Sequence, residues 1–252
     1  MKKILFILIA LCSAMGYGQE AFAKAESLYK IKKYEEAKPL FKALLQENQK
    51  DPKILRRLGD IESYAKRYKT AFPYYKMLLD LDQSNADAHF LYGGTLGLHA
   101  KNVSKLDALG YLDDIKHHLK EAANLDANHI ETRWALVQLY CELPAIVGGS
   151  YKSSRQYADQ LQKISPVDGY LAHGFIAEHD KEYRDAEKFY KKAIEVGGSL
   201  TTYRKLISLY EHKTREYLKA LVLLQEAYAT HKDPSLLEEI GMLKENYDLV
   251  GD

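Results

Sequence analysis

Two cysteines, six prolines and one tryptophan are all that this chain of 252 residues holds of the residue types that most often staple, break or flag a fold. Each shortage excludes something. Cys12 lies in an N-terminal segment expected to be removed, which leaves Cys141 alone and no disulfide within the mature chain. So little proline leaves long stretches open to helix. Charge of neither sign dominates, with 36 Lys and Arg against 35 Asp and Glu, so no strong electrostatic pull on nucleic acid is expected. Motifs of catalysis are missing too: there is no Gly-x-Ser-x-Gly, no His-Glu-x-x-His and no glycine-rich phosphate loop. Gly93, Gly94 and Gly97 fit no phosphate-binding spacing and read as places of close helix packing. No enzymatic activity, cofactor or metal is therefore expected.

The N-terminus reads as an export signal. Lys2 and Lys3 are followed by the apolar run Ile4 to Leu11, too short to span a bilayer. Gly16, Tyr17 and Gly18 then place small residues at the minus three and minus one positions of a cleavage site. Cleavage after Gly18 leaves Gln19 first. Leu11 stands where a lipidation signal would need a small residue before Cys12. The expected location is periplasmic or secreted, with no stable membrane span after cleavage.

The remainder has the composition of a folded chain, 46% hydrophobic and 28% charged, with 20 tyrosines. It also has a period. Tyr183, Ala186, Tyr190 and Ala193 are echoed by Tyr217, Ala220, Leu224 and Ala227, and Tyr34, Ala37, Phe41 and Leu44 by Tyr68, Ala71, Tyr75 and Leu78, each thirty-four residues on. Spacings of 3 and 4 put these residues on one helical face, where alternating small and large side chains let a second helix approach. A small residue recurs twelve positions before the alanine: Ala25, Gly59, Gly174 and Ser208. Each unit is thus a pair of short helices.

These residues resemble the tetratricopeptide repeat (TPR) family, and the extended central repeat is similar to an exported bacterial type. The resemblance implies an all-α, right-handed α-solenoid of about six helix-turn-helix repeats whose first helices line a concave groove. Units are expected at about 19–52, 53–85, 86–128, 129–166, 167–200 and 201–233, with a polar-covered capping helix over 235–247. The period fails in the middle. The first helix of unit three is expected to continue past Gly94 through Leu98, Lys101 and Leu106, and its second helix to run from Tyr111 to Leu125. In unit four Pro144 should stop a helix, Gly148 and Gly149 reverse the chain, and Ser150 cap the helix Tyr151 to Ile164. Pro39 and Pro73 fall early in second helices, which must start late or bend.

Of chemical clusters, Asp113, Asp114, His117, His118 and Glu121 have one-turn spacings that can pair metal ligands, but the pairs lie on different faces and read better as a solvated surface. Cys141 reads as a buried helical thiol. The family pattern assigns groove positions to the first helices, and the partner-binding candidates there are Tyr29, Arg56, Tyr64, Phe90, Trp134, Gln138, Phe175, His179 and His212. Asp60, Leu171 and Leu209 fall on the same row. Aromatics that anchor and charges that select suit a protein or peptide segment in the cell envelope. The alternative is a soluble-ligand binder or transport accessory protein, with a small apolar ligand in a pocket lined by Phe90, Trp134 and Phe175.

Overall fold

The computed structural model describes residues 19–247; the expected signal segment 1–18 and the C-terminal residues 248–252 lie outside the described residues. All regular structure among the described residues is helical. The chain divides into two compact units, Met1–Ala127 and Asn128–Asp252. The division falls where the third sequence repeat gives way to the fourth.

The first unit contains α1 (19–30), α2 (Tyr34–Glu47), α3 (Pro52–Tyr64), α4 (Tyr68–Leu81), α5 (Ala86–Ala100), α6 (Lys105–Leu109) and α7 (Leu112–Leu125). The second contains α8 (Ile130–Glu142), a 3-10 turn (Ala145–Val147), α9 (Tyr151–Ile164), α10 (Pro166–His179), α11 (Tyr183–Gly197), α12 (Leu200–Leu209), a π-turn (Tyr210–Thr214), α13 (Tyr217–His231) and α14 (Pro234–Tyr247). Successive helices pair as α3 with α4, α5 with α7, α8 with α9, α10 with α11 and α12 with α13, and α14 packs on α13. This is the helical-repeat α-solenoid arrangement that the period predicts.

First and second helices of a pair begin differently. A side chain caps each first helix with a described start: Asp51 accepts from the amides of Lys53 and Ile54, Asn85 from Ala88, His129 from Thr132, Ser165 from Asp168 and Ser199 from Thr202. Caps of this kind contribute about 1 kcal/mol each by satisfying amides that have no partner within the helix. The second helices α2, α4, α11 and α13 have no such cap. They are instead set off from the first helix by a tight turn containing a left-handed residue.

Glycine notches hold the pairs together. A Cβ on Gly59 would lie 2.5 Å from the ring of Tyr75, and one on Gly174 would lie 2.4 Å from the ring of Tyr190. Both tyrosines belong to the repeating face and are almost fully buried, and Ala37, Ala71, Ala186 and Ala220 have no exposed surface. Gly93 has the same use, since a Cβ there would meet His118 Cβ at 2.9 Å. At Gly59 and Gly174 the small residue twelve positions before the alanine is therefore the socket for the large residue of the next helix.

One expectation about the middle of the chain is overturned. The first helix of unit three does not continue through Leu106. It ends at Ala100, and the chain turns at 101–104. Ser104 then accepts from the amide of Asp107 to start the five-residue α6. The local capping bond starts a new helix there, on which Leu106 is 80% exposed. The other irregular segments follow the sequence. Gly148 is left-handed at φ 94°, a Cβ on Gly149 would strike the Leu143 carbonyl, and Ser150 Oγ accepts from Ser153 N at 3.1 Å to start α9. Pro39 and Pro73 lie inside α2 and α4 and face solvent, so each removes one backbone bond without ending its helix.

Candidate functional site

In the first unit, the first-helix row is joined side chain to side chain across successive repeats. Arg57 makes a two-pronged ion pair with Glu26 at 2.6 and 2.8 Å. Tyr29 donates to Asp60 at 3.0 Å, and Arg56 donates to Asp87 at 3.0 Å. Every one of these pairs spans 31 residues, one repeat less one helical turn. Asp60 is almost buried and also accepts from Tyr75 at 2.8 Å. The Arg57 guanidinium lies 4.4 Å over the Tyr29 ring. Hydrogen bonding to Arg57 holds the Glu26 carboxyl below its ordinary pKa, and the same bond raises that of Arg57. Tyr29 and Arg56, expected to face a partner, also serve as rungs of a polar ladder between repeats, Tyr29 through a part-buried bond to Asp60 and Arg56 in a solvent-exposed pair with Asp87. Opposite or complementary polar residues 31 apart were the signal that could have revealed it.

A second buried charge lies beside this ladder. Glu62 is fully buried and reaches Lys38 and Arg67 at 2.6 Å each. Burial pushes its pKa up, but the bonds to Arg67 and Lys38 outweigh that cost and keep it below the usual value. Phe90 is half-buried on α5, next to Gly94. Tyr64, in contrast, is 59% exposed at the end of α3, with its ring 5.3 Å from that of Tyr34.

His89, His117 and His118 form a cluster of edge-on and tilted rings rather than a solvated pair. His89 Nε2 lies 3.0 Å from the carbonyl of Gln83, and its Nδ1 lies 3.0 Å from His118 Nδ1. A carbonyl only accepts, so His89 carries its proton on Nε2 and its Nδ1 accepts from His118 Nδ1–H. Burial, then the neighbouring His89 and His117, hold the pKa of His118 down to about 4. The surface reading of His118 is corrected accordingly, because the ring packs inward on His89 and Tyr92. Among the described residues, no three His, Cys, Asp or Glu side chains are grouped to hold a metal ion.

The second unit keeps more of its first-helix row available. Trp134 is half-buried, and its indole N–H donates to Asp168 at 2.8 Å. That bond fixes the ring between the cluster around Val137 and Ile176 and the cluster around Tyr190 and Leu206. Gln138 is exposed one turn further on. Phe175 is half-buried with the exposed His179 ring 4.7 Å away, and His212 is exposed in the π-turn. Leu171 and Leu209 are corrected from groove to core, with 8% and 0% exposed surface. Cys141 is buried, and burial pushes its thiol up to about 12, so it is not a nucleophile at neutral pH.

Two shallow depressions flank these faces. One, of about 330 Å³, is lined by Lys32, Lys33, Tyr34, Glu35, Glu36, Tyr64 and Ala65, and the other, of about 430 Å³, by charged residues of α11 from Arg184 to Glu195. Neither is lined by Phe90, Trp134 or Phe175. No described helix is long and apolar enough to cross a membrane.

No family model matches the chain, and no curated protein matches it in sequence. Solved structures match it in fold. A tetratricopeptide repeat protein from Parabacteroides merdae is 16% identical with a TM-score of 0.63, over 91% of this chain and 86% of that one. A thermophilic TPR protein of Thermus thermophilus is 18% identical with a TM-score of 0.62, over 76% and 98%. YrrB, a TPR protein with an unusual peptide-binding site, is 17% identical with a TM-score of 0.50, over 71% and 85%. The fold is the one these TPR proteins share.

Proposed function

We propose that this chain is an exported, non-enzymatic scaffold that binds a protein or peptide segment on its first-helix face. The observation that carries the reading is the row Trp134, Gln138, Phe175 and His179 on α8 and α10. There two half-buried rings stand beside exposed polar side chains, with Trp134 held in place by Asp168. Rings fixed before binding supply contact area at little entropic cost, which is the chemistry of a binding anchor. Support for an interaction role also comes from fold, since YrrB, which shares it, has a peptide-binding site. Lys2, Lys3, the apolar run and Gly16 to Gly18 support export to the periplasm or beyond. The partner is accordingly expected among cell-envelope proteins.

The test is affinity capture from envelope extract with the mature chain and with a Trp134→Ala, Phe175→Ala double variant. A protein retained by the first and lost by the second, at equal helical content, supports the reading. Equal retention by both moves the binding face elsewhere.

A further inference from the structure

Five non-glycine residues among those described have positive φ: Lys32 (61°), Lys66 (58°), Lys181 (62°), Arg215 (56°) and Lys232 (55°). All five are basic, in a chain where Lys and Arg make up 36 of 252 residues. Four sit in the turn from first to second helix of a repeat, as two pairs thirty-four residues apart. At Lys32, Lys66 and Lys181 the turn is a Schellman closure, whereas Arg215 closes a π-turn. Lys32 N donates to Tyr29 O and Lys33 N to Leu28 O, both at 2.9 Å, while Lys66 N donates to Ser63 O at 2.9 Å and Arg67 N to Glu62 O at 2.8 Å. Glycine takes this position without steric cost, and Asn is the next most tolerant residue. A basic side chain there strains the backbone at every repeat where it stands. Helix-end electrostatics favour a cation anywhere in the last turn, so they do not explain its placement at the one strained residue.

In the first unit these residues adjoin exposed apolar side chains in the chain, Lys32 following Ile31 and Lys66 following Tyr64 and Ala65. Ile31 is 61% exposed and Tyr64 is 59% exposed. Tyr34 and Tyr64 wall the 330 Å³ depression, and Lys32 lies on its rim. The depression is lined by Lys32 and Lys33 with Glu35 and Glu36, and its lining residues Tyr64 and Ala65 lead directly into Lys66 and Arg67. Lys33 is paired with Glu36, and Arg67 with Glu35 and Glu62. Lys32 and Lys66 have no ion-pair partner among the described residues, and both are exposed.

We infer that this turn edge of the first unit is a docking surface for an acidic segment of a partner protein. Carboxylates of the segment engage Lys32 and Lys66, and an apolar or aromatic side chain enters the depression beside the contacting rings of Tyr34 and Tyr64. The unpaired charges of Lys32 and Lys66 select an acidic occupant, and a concavity walled by Tyr34 and Tyr64 suits a side chain better than a flat lipid surface. The surface belongs to a different unit from the Trp134 and Phe175 face, so the two readings stand or fall separately.

The experiment measures fluorescence anisotropy of a labelled, glutamate-rich peptide with one central phenylalanine, titrated with the full mature chain. A lysine-rich peptide and vesicles containing anionic lipid are run alongside. The acidic peptide is expected to bind, to weaken with added salt, and to weaken roughly tenfold in the Lys32→Gly, Lys66→Gly double variant, the size of two lost surface ion pairs. The same variant is expected to melt at a higher temperature, which separates lost binding from lost fold. Tyr64→Ala is expected to weaken binding as well. Absence of binding to the acidic peptide, binding unchanged in the double variant, or binding to the vesicles alone overturns the inference.

Discussion

At the scale of single residues, the fold depends on where a side chain is absent. Gly59 and Gly174 are sockets for Tyr75 and Tyr190, with no room for a methyl group. Gly174→Ala is expected to destabilise the chain by about 1 to 3 kcal/mol through overpacking, measured as a shift in the denaturation midpoint. The period made these positions readable, because Gly59 and Gly174 fall at the same offset from Ala71 and Ala186. His118 was not readable in the same way, since spacing along α7 says nothing of a ring facing it from α5. Its depressed pKa has a consequence with a definite sign. The folded chain holds His118 neutral down to about pH 4, whereas the unfolded chain protonates it near the ordinary value of 6.5. Its contribution to stability is therefore complete above about pH 6.5 and is lost as pH falls toward 4. Melting temperature followed over this range should drop for the native chain, and the drop should shrink in His118→Asn. An equal drop in both would place the titration elsewhere.

At the scale of helices, pairing within a repeat was legible and joining between repeats was not. Apolar spacing of 3 and 4 exposes a helix face directly, so α2, α4, α11 and α13 could be placed from Tyr34, Tyr68, Tyr183 and Tyr217. The polar ladder joins Glu26 to Arg57, Tyr29 to Asp60 and Arg56 to Asp87 across a distance that no local pattern marks. A double-mutant cycle on Glu26 and Arg57 is expected to return a coupling of about 1 kcal/mol, in keeping with a two-pronged, partly buried pair. A coupling of zero would reduce the pair to a surface contact. The break at 101–104 was missed for a related reason: Ser104 can cap a helix, but nothing in the sequence says that it must. The left-handed lysines are not legible in the sequence, because glycine and asparagine, not lysine, usually announce such a turn.

At the scale of the whole molecule, the repeat pattern specifies an architecture and leaves the partner to the positions the pattern does not use. Of the nine candidate residues, Tyr29 and Arg56 are engaged in the ladder, Arg56 at its exposed edge, while Tyr64, Gln138, His179 and His212 remain exposed. Trp134 and Phe175 are half-buried, the condition in which a ring is both held and reachable. The measurement that tests this most directly is the dissociation constant of the captured envelope partner for the native chain and for Trp134→Ala. Loss of a fixed aromatic anchor is expected to weaken binding at least tenfold, about 1.4 kcal/mol or more, measured on folded protein, since the variant also loses packing between two core clusters and melts lower. An unchanged dissociation constant in the folded variant would contradict the assignment of the first-helix face as the binding surface.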